Sequence, residues 1–348
     1  MSQIPQRVEW VDYAKGFCIV LVVMMHSTYG VEAAMGEQGW THVLAAFARP
    51  FRMPDFFLIS GLFLARVIDR DWRSYLDKKL VHFAYFYLLW LAIQTLVKGL
   101  WFGYGAAGMS EMFLFSLIQP FGSMWFIYLL PIFFIFTKMM RNVSPILVFL
   151  LGAELEILDV ATGWVLIDEF CGRLVYFFAG YWLATHIFAL AAWVRAHKLA
   201  GLAGLIAWAV VNGGLVYAGW SDLPFISLGL GFAGAVAVVT LAALITGIGW
   251  LSLLRHAGQN SIVVYLAFFL PMAASRVFLI KTGFITDVGL ITVIVTAMGV
   301  AAPLVLHAVL KRLDKGMFLF VRPNWAHLPP APKPVAVPEL ARQGAPVE

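Results

Sequence analysis

Charge is scarce in this chain. Of its 348 residues only 12% are Asp, Glu, Lys or Arg, while 62% are hydrophobic and the mean hydropathy is +0.86. Water-soluble domains carry about a quarter charged residues, so a soluble enzyme of this length is excluded. Cysteine is scarcer still: two residues, Cys18 and Cys171, exclude a disulfide scaffold. The missing charge is also clustered. Residues 112–137, 174–194, 199–221, 223–254 and 288–310 hold no Asp, Glu, Lys or Arg. Each run is long enough to cross a hydrocarbon core, which takes about 20 apolar residues in a helix. These runs predict an all-α, polytopic transmembrane helical bundle.

The pattern predicts about ten spans, near 11–32, 43–66, 78–101, 111–138, 143–161, 168–189, 199–219, 225–248, 258–280 and 286–310. Basic residues test that count, because cytoplasmic loops collect Lys and Arg. Arg7 and Lys15 precede or open the first span, and Arg66, Arg70, Arg73, Lys78 and Lys79 follow the second. Lys138 and Arg141, Arg195 and Lys198, Arg255, and Lys311 with Arg312 recur on the same side. The opposite loops are acidic or neutral, with Lys281 the exception. Both termini are therefore expected in the cytoplasm, and the net charge of +5 suits an anionic leaflet rather than nucleic acid. The expected parts are a cytoplasmic N-terminus (1–10), a transmembrane domain (11–312) and a Pro-rich disordered cytoplasmic tail (313–348). The residues before the first apolar run predict no cleaved signal peptide.

Ionisable residues inside spans carry the functional signal, since each costs about 2.5–3.5 kcal/mol at mid-membrane on insertion scales. Lys15 and His26, eleven residues apart, share one face of the first span. Lys15 also suits snorkelling to the interface. In the second span Arg49, Arg52 and Asp55 follow at i, i+3 and i+6, interrupted by Pro50 and Pro54. Broken helices of this kind persist in lipid only against protein or a watery cavity. Glu154, Arg173, Asn212 and Trp125 fall at a similar depth, so a polar cavity is expected in the outer half of the bundle. Two other arrangements remain: Arg49, Arg52 and Asp55 as a structural ion-pair network, and Glu154 paired with Arg173.

RVEWVDYAKGFCIVLVVMMH and FRMPDFFLISGLF then resemble the first two helices of acyltransferase family 3, and within it the fucose 4-O-acetylase-like acetyltransferases. GSMWFIY, CGRLVYFFAGYWL and GQNSIVVYL are weaker similarities in the family's order, so the resemblance covers residues 7–310. It implies a multi-pass protein of the bacterial inner membrane that moves an acyl group, usually acetyl, from acyl-CoA to a hydroxyl. The acceptor would be a sugar, glycan or other extracytoplasmic molecule. The family's first-helix histidine maps onto His26. Where many members carry a histidine three residues after the Tyr of the Y-L motif, this chain has Phe268.

Chemistry suits these residues. Imidazole titrates near neutrality and can take the proton of an attacking hydroxyl, so His26 is the expected base, oriented by Glu154. Arg49, Arg52, Asp55, Trp125 and Arg173 are the expected substrate-binding set, and Lys15, Arg66, Arg70 and Arg73 would meet the phosphates of acyl-CoA. No metal is expected. Membrane lipids are the other partner, and the oligomeric state stays open. The rival reading is a transporter whose pathway these polar residues line, although no internal repeat supports it.

Overall fold

The computed structural model describes residues 8–329, whose regular structure is entirely helical. The helices are α1 (Glu9–Met35), α2 (Thr41–Gly61), α3 (Trp72–Leu76), a π-turn (Asp77–Val81) and α4 (His82–Phe102). Next come α5 (Ala106–Ser116), α6 (Trp125–Met139), α7 (Pro145–Ile157), α8 (Val165–Trp182) and α9 (Ala184–Ala196). The series ends with α10 (Lys198–Tyr217), α11 (Ile226–Ile245), α12 (Ser252–Gln259), α13 (Ser261–Ala267), α14 (Phe269–Thr282) and α15 (Val288–Leu313).

This is a polytopic membrane bundle, but its candidate spans number five to seven. Five helices are long and apolar enough alone: α1, the continuous stretch Trp72–Phe102, α10, α11 and α15. Two more arise if the bent pairs α8–α9 (73°) and α13–α14 (55°) each count once. The ten expected spans do not appear as ten uniform helices, for local reasons. The run 111–138 is split, because Pro120 lacks an N–H and Gly122 takes a positive φ of 60°. α5 therefore stops at Ser116 and α6 begins at Trp125. Pro271 leaves the Ala267 carbonyl without its helical donor, beside the bend between α13 and α14. α7 has only 13 residues, and α2 holds three charges.

α1 and α2 lie at the centre. α1 packs on α12, α15, α2 and α11, and α2 is gripped by α8 and α11. Small residues permit this, as is usual where helices meet without a hydrophobic drive between them. A Cβ on Gly258 of α12 would collide with the Asp12 carbonyl oxygen, and one on Gly180 of α8 with that of Leu58. α2 stays helical through Pro50 and Pro54, and beside the first of them Asn212 Nδ2 on α10 donates to the Phe47 carbonyl at 2.9 Å.

The chain after α15 packs as far as residue 329, where structureless tail was expected from 313. Tyr85 Oη and Trp90 Nε1 each donate at 3.0 Å, to the carbonyls of Phe318 and Leu319. Arg73 Nε donates to Pro329 O at 2.7 Å. Aromatic and basic side chains on α3 and α4 supply the anchors that a proline-rich composition does not reveal. The remainder of the expected tail lies outside the described residues.

Candidate active site

α1 carries the centre of the site. His26 is half-buried, its ring 5.4 Å from that of Phe268, and it faces a cavity of about 210 Å³. Phe268, at the position where the resemblance implies a second histidine in many members, thus lies against His26 as an apolar ring. Arg52, Trp125 and Arg173 line the same cavity, with Ser123 and Tyr265. Arg52 is buried, and its Nε and one Nη have no hydrogen-bond partner. A buried guanidinium with unmet donors is costly unless an anion or developing negative charge meets it. Arg173 Nε donates to Glu169 Oε2 at 2.9 Å, and Glu169 also lines the cavity.

The turn that splits α5 from α6 is what delivers Ser123 and Trp125. Tyr265 Oη on α13 donates to the Ser123 carbonyl and accepts from the Ile127 N–H at 3.3 Å, pinning the turn. Gln119 ties its other end to the loop before α8, through Gly163 O at 3.1 Å and Val165 N at 3.2 Å.

Two further cavities continue toward the N-terminal end of α1. One of about 240 Å³ shares Phe56, Phe126 and Tyr265 with the His26 cavity and adds Cys18, Ser60 and Lys79. Another, of about 360 Å³, shares Lys15, Phe63, Ser261 and Ile262 with the middle one and adds Asp12, Arg66 and Gln259. Lys15 and Arg66 both rest on the Phe63 ring, at 5.8 and 5.3 Å. Consecutive cavities thus share walls over the eleven residues from Lys15 to His26, about 16 Å of helix.

Six expected residues stand elsewhere. Arg49 is exposed on α2 and ion-paired with Asp222 in the loop between α10 and α11, so it, Arg52 and Asp55 do not form one network. Its long side chain reaches outward to that loop carboxylate. Glu154 is on the exposed face of α7, away from His26, and the partner of Arg173 is Glu169 instead. Arg70 and Arg73 are exposed and line none of the three cavities; the Arg70 carbonyl accepts from Lys138 Nζ at 2.7 Å, and Arg73 holds the C-terminal segment. Lys79 takes their place, its Nζ 4.0 Å from the centre of the Phe134 ring. Asp55 is buried behind the cavities, with neither oxygen hydrogen-bonded. Asn212 serves α2 rather than the cavity.

Sequence reasoning missed Glu169, Lys79 and Tyr265. Glu169 was legible as the i,i+4 mate of Arg173. Tyr265 sat in the GQNSIVVYL similarity without a role. Lys79 had no signal, since its direction depends on the π-turn. Among the described residues no group of three or more His, Cys, Asp or Glu could hold a metal.

A half-buried histidine and a buried arginine with unmet donors thus line one cavity of the helical bundle. An acyltransferase domain model matches residues 8–308, and the chain belongs to acyltransferase family 3, a family of polytopic membrane acyltransferases. It is 26% identical over 287 residues to the "Inner membrane protein YcfT" of Escherichia coli (strain K12), covering 75% of this chain and 78% of that protein. That name is consistent with an inner-membrane location. No solved structure matches significantly.

Proposed function

We propose that this protein is an O-acyltransferase of the bacterial inner membrane, moving an acyl group, by preference acetyl, from cytoplasmic acyl-CoA to a hydroxyl on the far side. The observation that carries the reading is the row of three cavities that joins a basic mouth at Lys15 and Arg66, through a middle cavity carrying Lys79, to the chamber of His26 and Arg52. The charge alternation supports ten crossings with both termini in the cytoplasm, which puts the basic mouth inside and His26 toward the outer half. Resemblance to the fucose 4-O-acetylase-like subgroup favours a sugar or glycan hydroxyl as acceptor.

In this reading the mouth receives the donor's phosphates, where Lys and Arg act as charge partners. The middle cavity, largely apolar with the hydroxyls of Ser60 and Ser261 and with Lys15 and Lys79 in its wall, takes the amide-bearing pantetheine arm. His26 removes the acceptor's proton as its oxygen adds to the thioester carbonyl. Arg52 faces the oxyanion that develops, supplying in the transition state the partner it lacks at rest. As the C–S bond breaks, His26 returns the proton to the departing thiolate, leaving an ester and free CoA. Trp125 walls the acceptor side, and the Arg173–Glu169 pair presents a polar edge for sugar hydroxyls.

Sidedness tests this reading. Inverted and right-side-out membrane vesicles holding the protein are given labelled acetyl-CoA from outside, with a panel of sugars enclosed. Only inverted vesicles should place label in an ester inside the lumen. Equal labelling from both faces, or none, would contradict it.

A further inference from the structure

Outside the reaction chamber, the densest polar cluster joins the C-terminal segment to the π-turn. Arg322, only 3% exposed at its side chain, donates Nη2–H to Asp77 Oδ2 at 2.6 Å and Nη1–H to the Asp77 carbonyl at 2.7 Å. The Leu328 N–H donates to Asp77 Oδ1 at 2.8 Å, and His327 Nδ1 lies 3.3 Å from Oδ2. That same Asp77 carbonyl accepts the His82 N–H that closes the π-turn. Arg322 therefore grips an acceptor that closes the turn.

A π-turn inserts one residue into a helix. At 3.6 residues per turn, the insertion rotates the helix on one side of it by about 100° relative to the helix on the other. Phe83, beyond the turn, lines the middle cavity; Lys79, within it, lines the same cavity beside Phe134. Relaxation to a plain α-helix with Phe83 held in place would turn the segment before it and displace Lys79 along the cavity wall, since at i,i+4 the two still share a face. The π-turn therefore sets where on that wall Lys79 stands. π-turns are rare and recur at functional positions, and this one is tied down by a segment over 240 residues away in sequence.

We propose that Arg322 and Asp77 are positioning residues for donor binding: the C-terminal segment clamps the π-turn and so holds Lys79 in the wall of the middle cavity, which shares Lys15 with the mouth that receives the acyl-CoA phosphates. This rests on the donor reading above. Neither residue touches donor or acceptor, and the clamp acts only through Lys79.

The test measures CoA binding by calorimetry and acetyl-CoA turnover on full-length protein in nanodiscs. It compares wild type, Lys79→Ala, Arg322→Ala, Arg322→Lys and the Lys79→Ala/Arg322→Ala double variant. Each alanine variant should raise KM for acetyl-CoA and Kd for CoA about three- to tenfold, with kcat within about twofold. The double variant should be no worse than the poorer single, because both remove one interaction. Arg322→Lys keeps charge and stem but cannot hold carboxylate and carbonyl together, so it should show a smaller rise; it is the variant read if Arg322→Ala does not fold. Unchanged KM and Kd in the Arg322 variants while Lys79→Ala weakens binding, or effects that multiply in the double, overturn the clamp. A wild type that neither binds CoA nor cleaves acetyl-CoA overturns the donor reading itself, and the clamp with it.

Discussion

At the scale of single residues, the site divides by burial. Arg49 and Arg52 are three positions apart on one helix, yet one pairs with Asp222 at the surface and the other is buried with unmet donors. Only the buried one has reason to bind a developing charge. Arg52→Ala should therefore lower kcat/KM by about 100-fold or more, the usual loss for an oxyanion donor. Arg49→Ala and Glu154→Gln should leave steady-state turnover within about twofold, as expected of side chains that touch no substrate. A full loss in Glu154→Gln would restore it as the partner of His26. Phe268 offers a subtler case. With its ring against His26, Phe268→His would place a second imidazole beside the base, and a changed pH profile of kcat would register the contact. The sequence made His26 and Arg52 legible because an ionisable residue in an apolar run is conspicuous. It could not separate Arg52 from Arg49, nor Glu169 from Glu154, because helix facing near span ends depends on neighbours that local pattern does not contain.

At the scale of elements, the interruptions matter more than the spans. Apolar runs announced where helices lie, and the proline and glycine at 120 and 122 were in view, but a continuous apolar run hid the turn they make. That turn places Trp125 and Ser123 in the chamber, held by Tyr265. Tyr265→Phe should loosen it: expected are a lower thermal midpoint by a few degrees, from loss of about 1 kcal/mol per buried hydrogen bond, and reduced kcat with little change in KM for acetyl-CoA. Close helix contacts set a second expectation. Gly258→Val would force α12 from α1 at Asp12, where backbone meets backbone, and should destabilise the fold by about 1–3 kcal/mol or more. Thermal melting in detergent checks both.

For the molecule as a whole, scarcity of charge was the most informative property of the sequence. It identified a membrane bundle and left a few ionisable groups to explain. What it could not supply was connectivity between them: three cavities along α1, a C-terminal segment packed on α4, and spans broken where the chamber needs them. The most direct measurement is cleavage of labelled acetyl-CoA by purified protein in nanodiscs, wild type against His26→Ala, with a hydroxyl acceptor present. The account predicts that wild type releases CoA and forms an ester, and that His26→Ala, still folded by its melting curve, is slowed about 100-fold or more, as for a lost general base. A wild type that cleaves no acyl-CoA, or a His26→Ala protein with the full rate, would contradict it.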